Sequence, residues 1–169
     1  MLYLRAARVI SKDLERLFDF VEPSDANLTT YSFEILGLFT RVCFEVEANL
    51  RGILLENKYR PNGEVLNANQ LNMNHYRKVE QSHFLSKYSV LFPNWSDGMK
   101  DFQPFASWAE ESDGAPDWYR AYNRVKHNRQ ISFPDANLDN LCHSFAALIV
   151  LISSQLWRED GAATFVLGI

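Results

Sequence analysis

The chain has 169 residues, of which 47% are hydrophobic, 22% charged and 14% aromatic, and its formal net charge at pH 7 is −4. This composition predicts one folded domain over residues 1–169 and excludes wholesale disorder. The negative net charge excludes a polycation that coats nucleic acid with its whole surface, so any contact with RNA must come from a local basic patch.

The first segment, 4–20, places most of its hydrophobic residues on one side of a helical projection and is predicted to be an amphipathic helix. Charged residues interrupt the apolar stretch that a signal peptide requires, so we expect a cytoplasmic protein. The following "EPSDAN" breaks the helical pattern at Pro23 and offers Ser24, Asp25 and Asn27 as N-cap residues.

The longest periodic segment, 31–57, carries a seven-residue hydrophobic repeat that other apolar positions widen, as in a bundle helix buried on more than one side. Arg41 and Glu45 lie four residues apart, as do Glu47 and Arg51, so ion pairs are predicted on the outer face. The seam consists of Leu36, Phe39, Cys43, Val46, Leu50, Ile53 and Asn57.

The middle of the chain has weaker patterns. A short helix is predicted over 71–81, an extended arm or β-hairpin around 83–95, and a loop or irregular excursion over 96–117, where Gly, Pro and acidic residues concentrate. Aromatic residues cluster between Phe92 and Trp108. They are expected to fold back over the core, and the alternative is that they bind a base or a partner protein.

Two further helices are predicted. One follows Asp117 as N-cap and ends between Asn128 and Ser132, ahead of Pro134; the other spans 138–157, is apolar on all sides in its middle, and should form the centre of the domain. Cys43 and Cys142 lie within apolar helical patterns and are predicted to be reduced core thiols. The apolar tail, 161–169, docks either on the body or on a partner chain.

The predicted fold is therefore all-α, a bundle of four main helices with a small extended or β-hairpin insertion around 83–95. The longest apolar run is far shorter than the ~20 residues of a membrane span, so no membrane association is expected. His75, His83 and His143 are scattered without a familiar metal-ligand spacing, so neither a metal site nor a cofactor is predicted.

The segment "WYRAYNRVKHNR" (118–129) holds four positive charges and no negative charge. At about 100° per residue, its helix has an aromatic and aliphatic side and an opposite polar side. The polar residues that share one arc of roughly 100° are Arg120, Asn123, Arg124 and His127.

This polar face has two interpretations. The planar donor fork of Arg120 matches phosphate oxygens, and His127 can transfer a proton near neutral pH, as RNA cleavage through a 2′-hydroxyl requires. The structural interpretation is a solvated face, because Lys126, His127 and Arg129 also complement the dipole at the end of the helix.

"WYRAYNRVKHNR", followed by "ANLDNLCHSFAALIVLISSQ", resembles the signature region of the HEPN (higher eukaryotes and prokaryotes nucleotide-binding) superfamily. The HEPN motif is an arginine, four to six residues and a histidine, and Arg120 and His127 enclose six residues. The similarity covers 118–155 best and extends to "EVEANLRGIL" in the long helix.

The resemblance implies an all-α domain that forms a homodimer with a composite cleft, and a metal-independent endoribonuclease of a defence, toxin or RNA-processing system. It assigns the scissile phosphate of RNA to Arg120 and proton transfer or transition-state stabilisation to His127, with supporting substrate contacts from Asn123, Arg124 and Lys126. The alternative is a non-catalytic helical dimerisation or interaction module that binds RNA or an acidic protein partner.

Overall fold

The computed structural model describes residues 2–63, 67, 70–109, 114–156 and 164–166. The chain is mostly helical with a small β-sheet. Within the described residues, the helices longer than four residues are α1 (Leu2–Phe18), α2 (Phe33–Glu56), α5 (Asp117–His127) and α7 (Leu138–Leu156). The one-turn helices are α3 (Met73–Tyr76), α4 (Glu80–His83) and α6 (Arg129–Ser132).

Helix α2 begins later than the cap prediction implied. Ser32 is its N-cap, and the Ser32 side chain accepts a hydrogen bond from the Ile35 amide at 3.1 Å. The predicted cap residues Ser24, Asp25 and Asn27 instead belong to an isolated 3₁₀ turn, where Ser24 makes no capping bond. The predicted seam of α2 is buried from Leu36 to Ile53, which confirms the hydrophobic period.

Helix α7 lies at the centre of the core, as its all-round apolar middle predicts. It packs along α2 and also contacts α1, α5 and the sheet. Cys142 of α7 and Cys43 of α2 are buried free thiols, as predicted. Burial raises the pKa of both thiols, so both stay protonated.

The extended segment begins and ends later in the chain than predicted. Strand β1 (Ser89–Phe92) pairs antiparallel with β2 (Lys100–Phe102), and β2 lies in the stretch 96–117 that was expected to be irregular. Residues Leu85–Lys87, expected to be extended, form a 3₁₀ turn. The tail contributes β3 (Thr164–Val166), which pairs parallel to β1; the remaining tail residues lie outside the described part.

The aromatic residues of 92–108 cover the core, as expected. Phe92, Trp95, Phe102, Phe105 and Trp108 are all buried. The rings of Phe92 and Trp95 both pack edge-on against Phe102, and Phe92 also contacts Phe145 of α7. This cover anchors α5 as well, because the indole Nε1 of Trp118 donates to the Pro104 carbonyl at 2.9 Å.

Candidate functional site

Helix α5 begins one residue earlier than predicted. Pro116 is the N-cap, and its carbonyl accepts hydrogen bonds from the amides of Tyr119 and Arg120, both at 3.0 Å. Asp117 is therefore the first helical residue, where its negative charge favours the helix dipole. The buried side of α5 comprises Trp118, Tyr119, Ala121, Tyr122 and Val125, which includes all three residues that the periodicity placed inward.

Three of the predicted site residues are exposed on the opposite side of α5. Arg120, Arg124 and His127 point to the surface, and 53% of the Arg120 side chain is accessible to solvent. Positions 120 and 127 lie two helical turns apart, ~10 Å along the axis, so one phosphate diester with its flanking sugar can span them.

Arg120 is oriented by the turn that precedes α5. Its Nε donates to the Ala115 carbonyl at 2.8 Å, and the Asp117 carboxylate lies 3.8 Å from the same nitrogen. A Cβ atom at Gly114 would lie 3.0 Å from the Arg120 guanidinium, so the absence of a side chain at this position leaves room for Arg120. The remaining guanidinium donors are available for an anion.

Arg124 has a strong internal partner. Its Nε contacts the Asp135 carboxylate at 2.6 Å, and this hydrogen bond is the main cause of the raised pKa of Arg124. Asp135 closes the 3₁₀ turn that follows α6. The sequence alone does not predict this ion pair, because Arg124 and Asp135 are eleven positions apart and a helix break lies between them.

His127 and Lys126 end α5. The His127 ring is exposed, and it makes no hydrogen bond or ion pair with any residue that the structure describes. The Lys126 ammonium lies 5.4 Å from the centroid of the Tyr122 ring, within cation–π range. An exposed imidazole on a basic surface can contact a bound ligand directly.

Asn123 is half-buried and belongs to an internal network. Its amide lies near Tyr119, one turn earlier, and lowers the pKa of that hydroxyl, which donates to Glu47 Oε1 at 2.5 Å. Burial and the Glu47 charge raise the pKa of Tyr119 well above its ordinary range, so the hydroxyl stays a donor. Asn123 thus lies at the border between the buried side of α5 and its polar face.

Side chains of the two ion pairs predicted within α2 contact other partners. Glu47 accepts from Tyr119, while Arg51, its predicted partner, donates to the Tyr76 hydroxyl at 3.4 Å. Arg41 pairs with Asp13 of α1, instead of with Glu45 on its own helix. In both cases a side chain on a neighbouring helix supplies the contact, which the periodicity of a single helix does not reveal.

A groove of about 690 Å³ runs between α2 and α5, next to this face. Its floor is mostly apolar, and its charged lining residues are the cations Lys126 and Arg129. The residues along it are Phe33, Leu36, Gly37, Thr40, Tyr122, Val125, Lys126 and Arg129. An anion bound at α5 therefore finds further positive charge along the groove.

The histidines outside α5 have structural surroundings. His143 Nδ1 lies 3.0 Å from the Asp139 carbonyl and 3.2 Å from its carboxylate, one turn earlier on α7. His75 completes a capping box with Asn72 at the start of α3. Within the described ranges, no three side chains of His, Cys, Asp or Glu come together as a metal site would require.

Comparisons with protein-family models, with curated proteins and with solved structures each find no significant match to this chain. None of the helices in the part of the chain that the structure describes combines the length and the apolar character that a membrane crossing demands. The geometry of α5 and its surroundings is therefore the basis for a functional assignment.

Proposed function

We propose that this chain is a HEPN-like, metal-independent endoribonuclease that acts as a homodimer. The observation that carries the proposal is the juxtaposition on α5 of two exposed arginines, Arg120 and Arg124, with the exposed ring of His127, which has no partner among the described residues. The signature resemblance supports the same residues. In this proposal α1, α2, α5 and α7 make up the four-helix HEPN-like bundle, and the enzyme meets its RNA substrate in the cytoplasm.

The chemistry needs only these side chains and RNA. Arg120 holds the non-bridging oxygens of the scissile phosphate through the donors that Ala115 leaves free. Neutral His127 accepts the proton of the ribose 2′-hydroxyl as its oxygen attacks phosphorus. The bond from phosphorus to the 5′-oxygen breaks, that oxygen takes a proton from imidazolium or water, and the products are a 2′,3′-cyclic phosphate and a 5′-hydroxyl.

Arg124 and Lys126 add positive charge around the reacting phosphate. Arg124 keeps its bond to Asp135, so in this proposal it contributes mainly as an oriented charge with its outer guanidinium donors. Lys126 faces the groove between α2 and α5 and contacts a flanking phosphate. The supporting role of Asn123 is a substrate contact made by its half-buried amide at the edge of this face.

Dimerisation completes the cleft. A single α5 face is a convex surface with no opposite wall described, and a second copy would supply that wall and double the positive charge along the RNA. Such a composite site suits toxin, phage-defence and RNA-processing systems, in which the nuclease is held in check or directed by a protein partner.

RNA cleavage in the presence of a chelator tests the proposal. Purified protein should cut single-stranded RNA in EDTA, and His127→Ala should lower the rate at least about a hundredfold while the circular dichroism spectrum stays unchanged. Arg120→Ala should cause a comparable loss. Arg8→Ala, which removes an exposed arginine from α1, is the matched control and should retain activity. Undiminished cleavage by His127→Ala, or cleavage that stops in EDTA, contradicts the proposal.

A second function is favoured by one observation: Arg120 and Arg124 both hold internal partners, Ala115 and Asp135. Arginines fixed in this way suit a non-catalytic module that binds RNA or an acidic protein partner. Under this alternative, Arg120→Lys leaves binding nearly intact and no RNA cleavage occurs. RNA cleavage that Arg120→Lys abolishes would exclude it.

A further inference from the structure

Helix α2 exposes a continuous ridge on the side that faces away from α7. The ridge consists of Phe33, Gly37, Thr40 and Phe44, spaced four, three and four residues apart, which places them on one line along the helix. Phe33 is 74% exposed and Phe44 is 62% exposed. Two large aromatic rings on one exposed line of a helix mark a surface that favours burial.

The order of residues along the ridge reads the same from both ends: aromatic, small, small, aromatic. Two copies of α2 packed antiparallel about a twofold axis therefore set Phe33 of one copy level with Phe44 of the other, and Gly37 level with Thr40. We propose that this ridge is the interface between two copies of the chain, related by a twofold axis that passes level with the midpoint between Gly37 and Thr40.

The small residues at the centre allow the helices to approach closely. Apart from the chain neighbours of Gly37 and the adjacent backbone of α2, no atom of the described residues lies within 4 Å of the position that a Cβ on Gly37 would occupy, so the space above this glycine is open. The groove beside Gly37 also borders Phe33. The Phe44 ring of the second copy lies level with Phe33 and fits against this groove. The two aromatic rings would then be buried in an edge-on or offset stack.

Charges on one flank of the ridge are complementary under the same twofold axis. Arg41 contacts Asp13 of α1, and Glu34, seven residues earlier on α2, projects to the same side of the helix. An antiparallel twofold axis keeps that side facing its equivalent. Glu34 of one copy is then offset from Arg41 of the other by about 3 Å along the axis, at 1.5 Å per residue. Arg41 already contacts Asp13, and its guanidinium has donors left for a second carboxylate.

Helix α1 extends the apolar surface. Leu2 and Val9 are exposed and line a shallow groove with Thr40 and Phe44, on the same flank. Together with the two phenylalanines they give each copy an apolar centre with a charged rim, as in homodimer interfaces. A nucleic acid is a poorer occupant of the α1 flank, because Asp13 and Glu45 lie there with Arg5 and Arg41.

The twofold axis has a consequence for the other flank. Since each flank faces its own equivalent, α5 of one copy lies beside α5 of the other, and the cations Lys126 and Arg129 of both copies approach a common cleft. The use of this cleft for RNA rests on the proposed function, whereas the interface itself rests on the exposed residues of α2 and α1. Multivalent anions should strengthen the dimer by screening the facing cations.

Sedimentation of the full chain, without RNA, tests the interface. The native chain should be a dimer, and Phe44→Ser should raise its dissociation constant at least about tenfold. Met99→Ser is the matched control, because Met99 is 63% exposed on the turn of the hairpin that packs on α7. A native monomer at all concentrations, or a dimer that Phe44→Ser does not weaken, overturns the proposal.

A cysteine pair tests the register. Glu34→Cys and Arg41→Cys are made in separately tagged chains, and the ridge residues and the buried native thiols stay unchanged. Mixed oxidation should join Glu34→Cys to Arg41→Cys, while Glu34→Cys alone should not dimerise, because its two copies are ~13 Å apart along the axis. Efficient disulfide formation by Glu34→Cys alone contradicts the antiparallel register. A dimer with this register that cleaves no RNA leaves the interface standing and rejects only the proposed function.

Discussion

The Tyr119 hydroxyl and the Glu47 carboxylate meet at 2.5 Å between α5 and α2. Tyr119 is buried and Glu47 is half-buried, so a hydrogen bond to a carboxylate that is largely shielded from solvent joins α5 to α2. The half-buried amide of Asn123 lies near the same tyrosine and lowers its pKa. The pair thus ties the buried side of α5 to α2, and Arg120 and His127 lie on the opposite side.

Removal of this hydroxyl should destabilise the fold. Tyr119→Phe leaves the half-buried Glu47 without its donor, and we expect the free energy of unfolding to fall by about 1–3 kcal/mol in urea titration. Tyr31→Phe provides the control, because Tyr31 is an exposed tyrosine at the start of the same α2 segment. Equal stability of Tyr119→Phe and the native chain would show that the bond contributes nothing.

The same substitution at two leucines of α2 distinguishes the stability contributed by core packing from that contributed by helix propensity. Leu50 is fully buried in the seam, whereas Leu55, five residues further on, is exposed. Leu50→Ala should cost about 2–5 kcal/mol, because it removes buried methyl groups and leaves a cavity against α7. Leu55→Ala should change stability by less than about 0.5 kcal/mol. Equal losses in chemical denaturation would contradict the assignment of the core face.

His143 should make stability depend on pH. Burial by itself lowers the pKa of His143, but the hydrogen bonds and charge of Asp139 outweigh it and the pKa rises above its ordinary value, despite the opposing charge of Lys100. A raised folded-state pKa means that protonation stabilises the fold below the ordinary value of about 6.5, and that this stability is lost as pH rises through the folded pKa. NMR titration should place the pKa of His143 above 6.5.

The control for this titration is Asp139→Asn. It removes the carboxylate and keeps the backbone carbonyl that also bonds His143, so the pKa of His143 should fall and the pH dependence of stability should shrink. A pKa of His143 that does not change on this substitution would mean that Asp139 does not stabilise the imidazolium.

The bond between Arg124 and Asp135 should compete with RNA. Asp135→Asn keeps the shape of the side chain but removes its charge, so Arg124 is released and the local potential becomes more positive. We expect RNA affinity to increase and stability to fall by at most about 1 kcal/mol, since the pair is solvent-exposed. Lower affinity in fluorescence anisotropy would mean that Asp135 positions Arg124 for RNA.

The long periodic segments were predictable because their signal is repeated many times. The seam of α2 and the apolar middle of α7 each repeat the helical period over several turns, and both are buried as expected. The segment 83–102 was harder, because β1 and β2 are short and their pairing depends on contacts between residues distant in sequence. Ser32 was missed as a cap because several other cap-forming residues precede it.

The two faces of α5 followed from 11 residues of helical period, but the partners of its side chains did not. Tyr119 is nearly as buried as Tyr122, and its contact with Glu47 depends on the angle at which α5 packs on α2. Asp135 reaches Arg124 only because a 3₁₀ turn folds back after α6. Contacts that depend on how two elements pack against each other produce no periodic pattern in the sequence of either element.

The most direct test of the proposed activity uses an RNA with a single 2′-deoxy nucleotide at a mapped cleavage position. If neutral His127 activates the 2′-hydroxyl, the native chain in EDTA should cut the all-ribose strand there to a 2′,3′-cyclic phosphate and a 5′-hydroxyl. It should leave the deoxy-substituted position intact. Cleavage at the deoxy position, or products that carry a 5′-phosphate, would contradict this account.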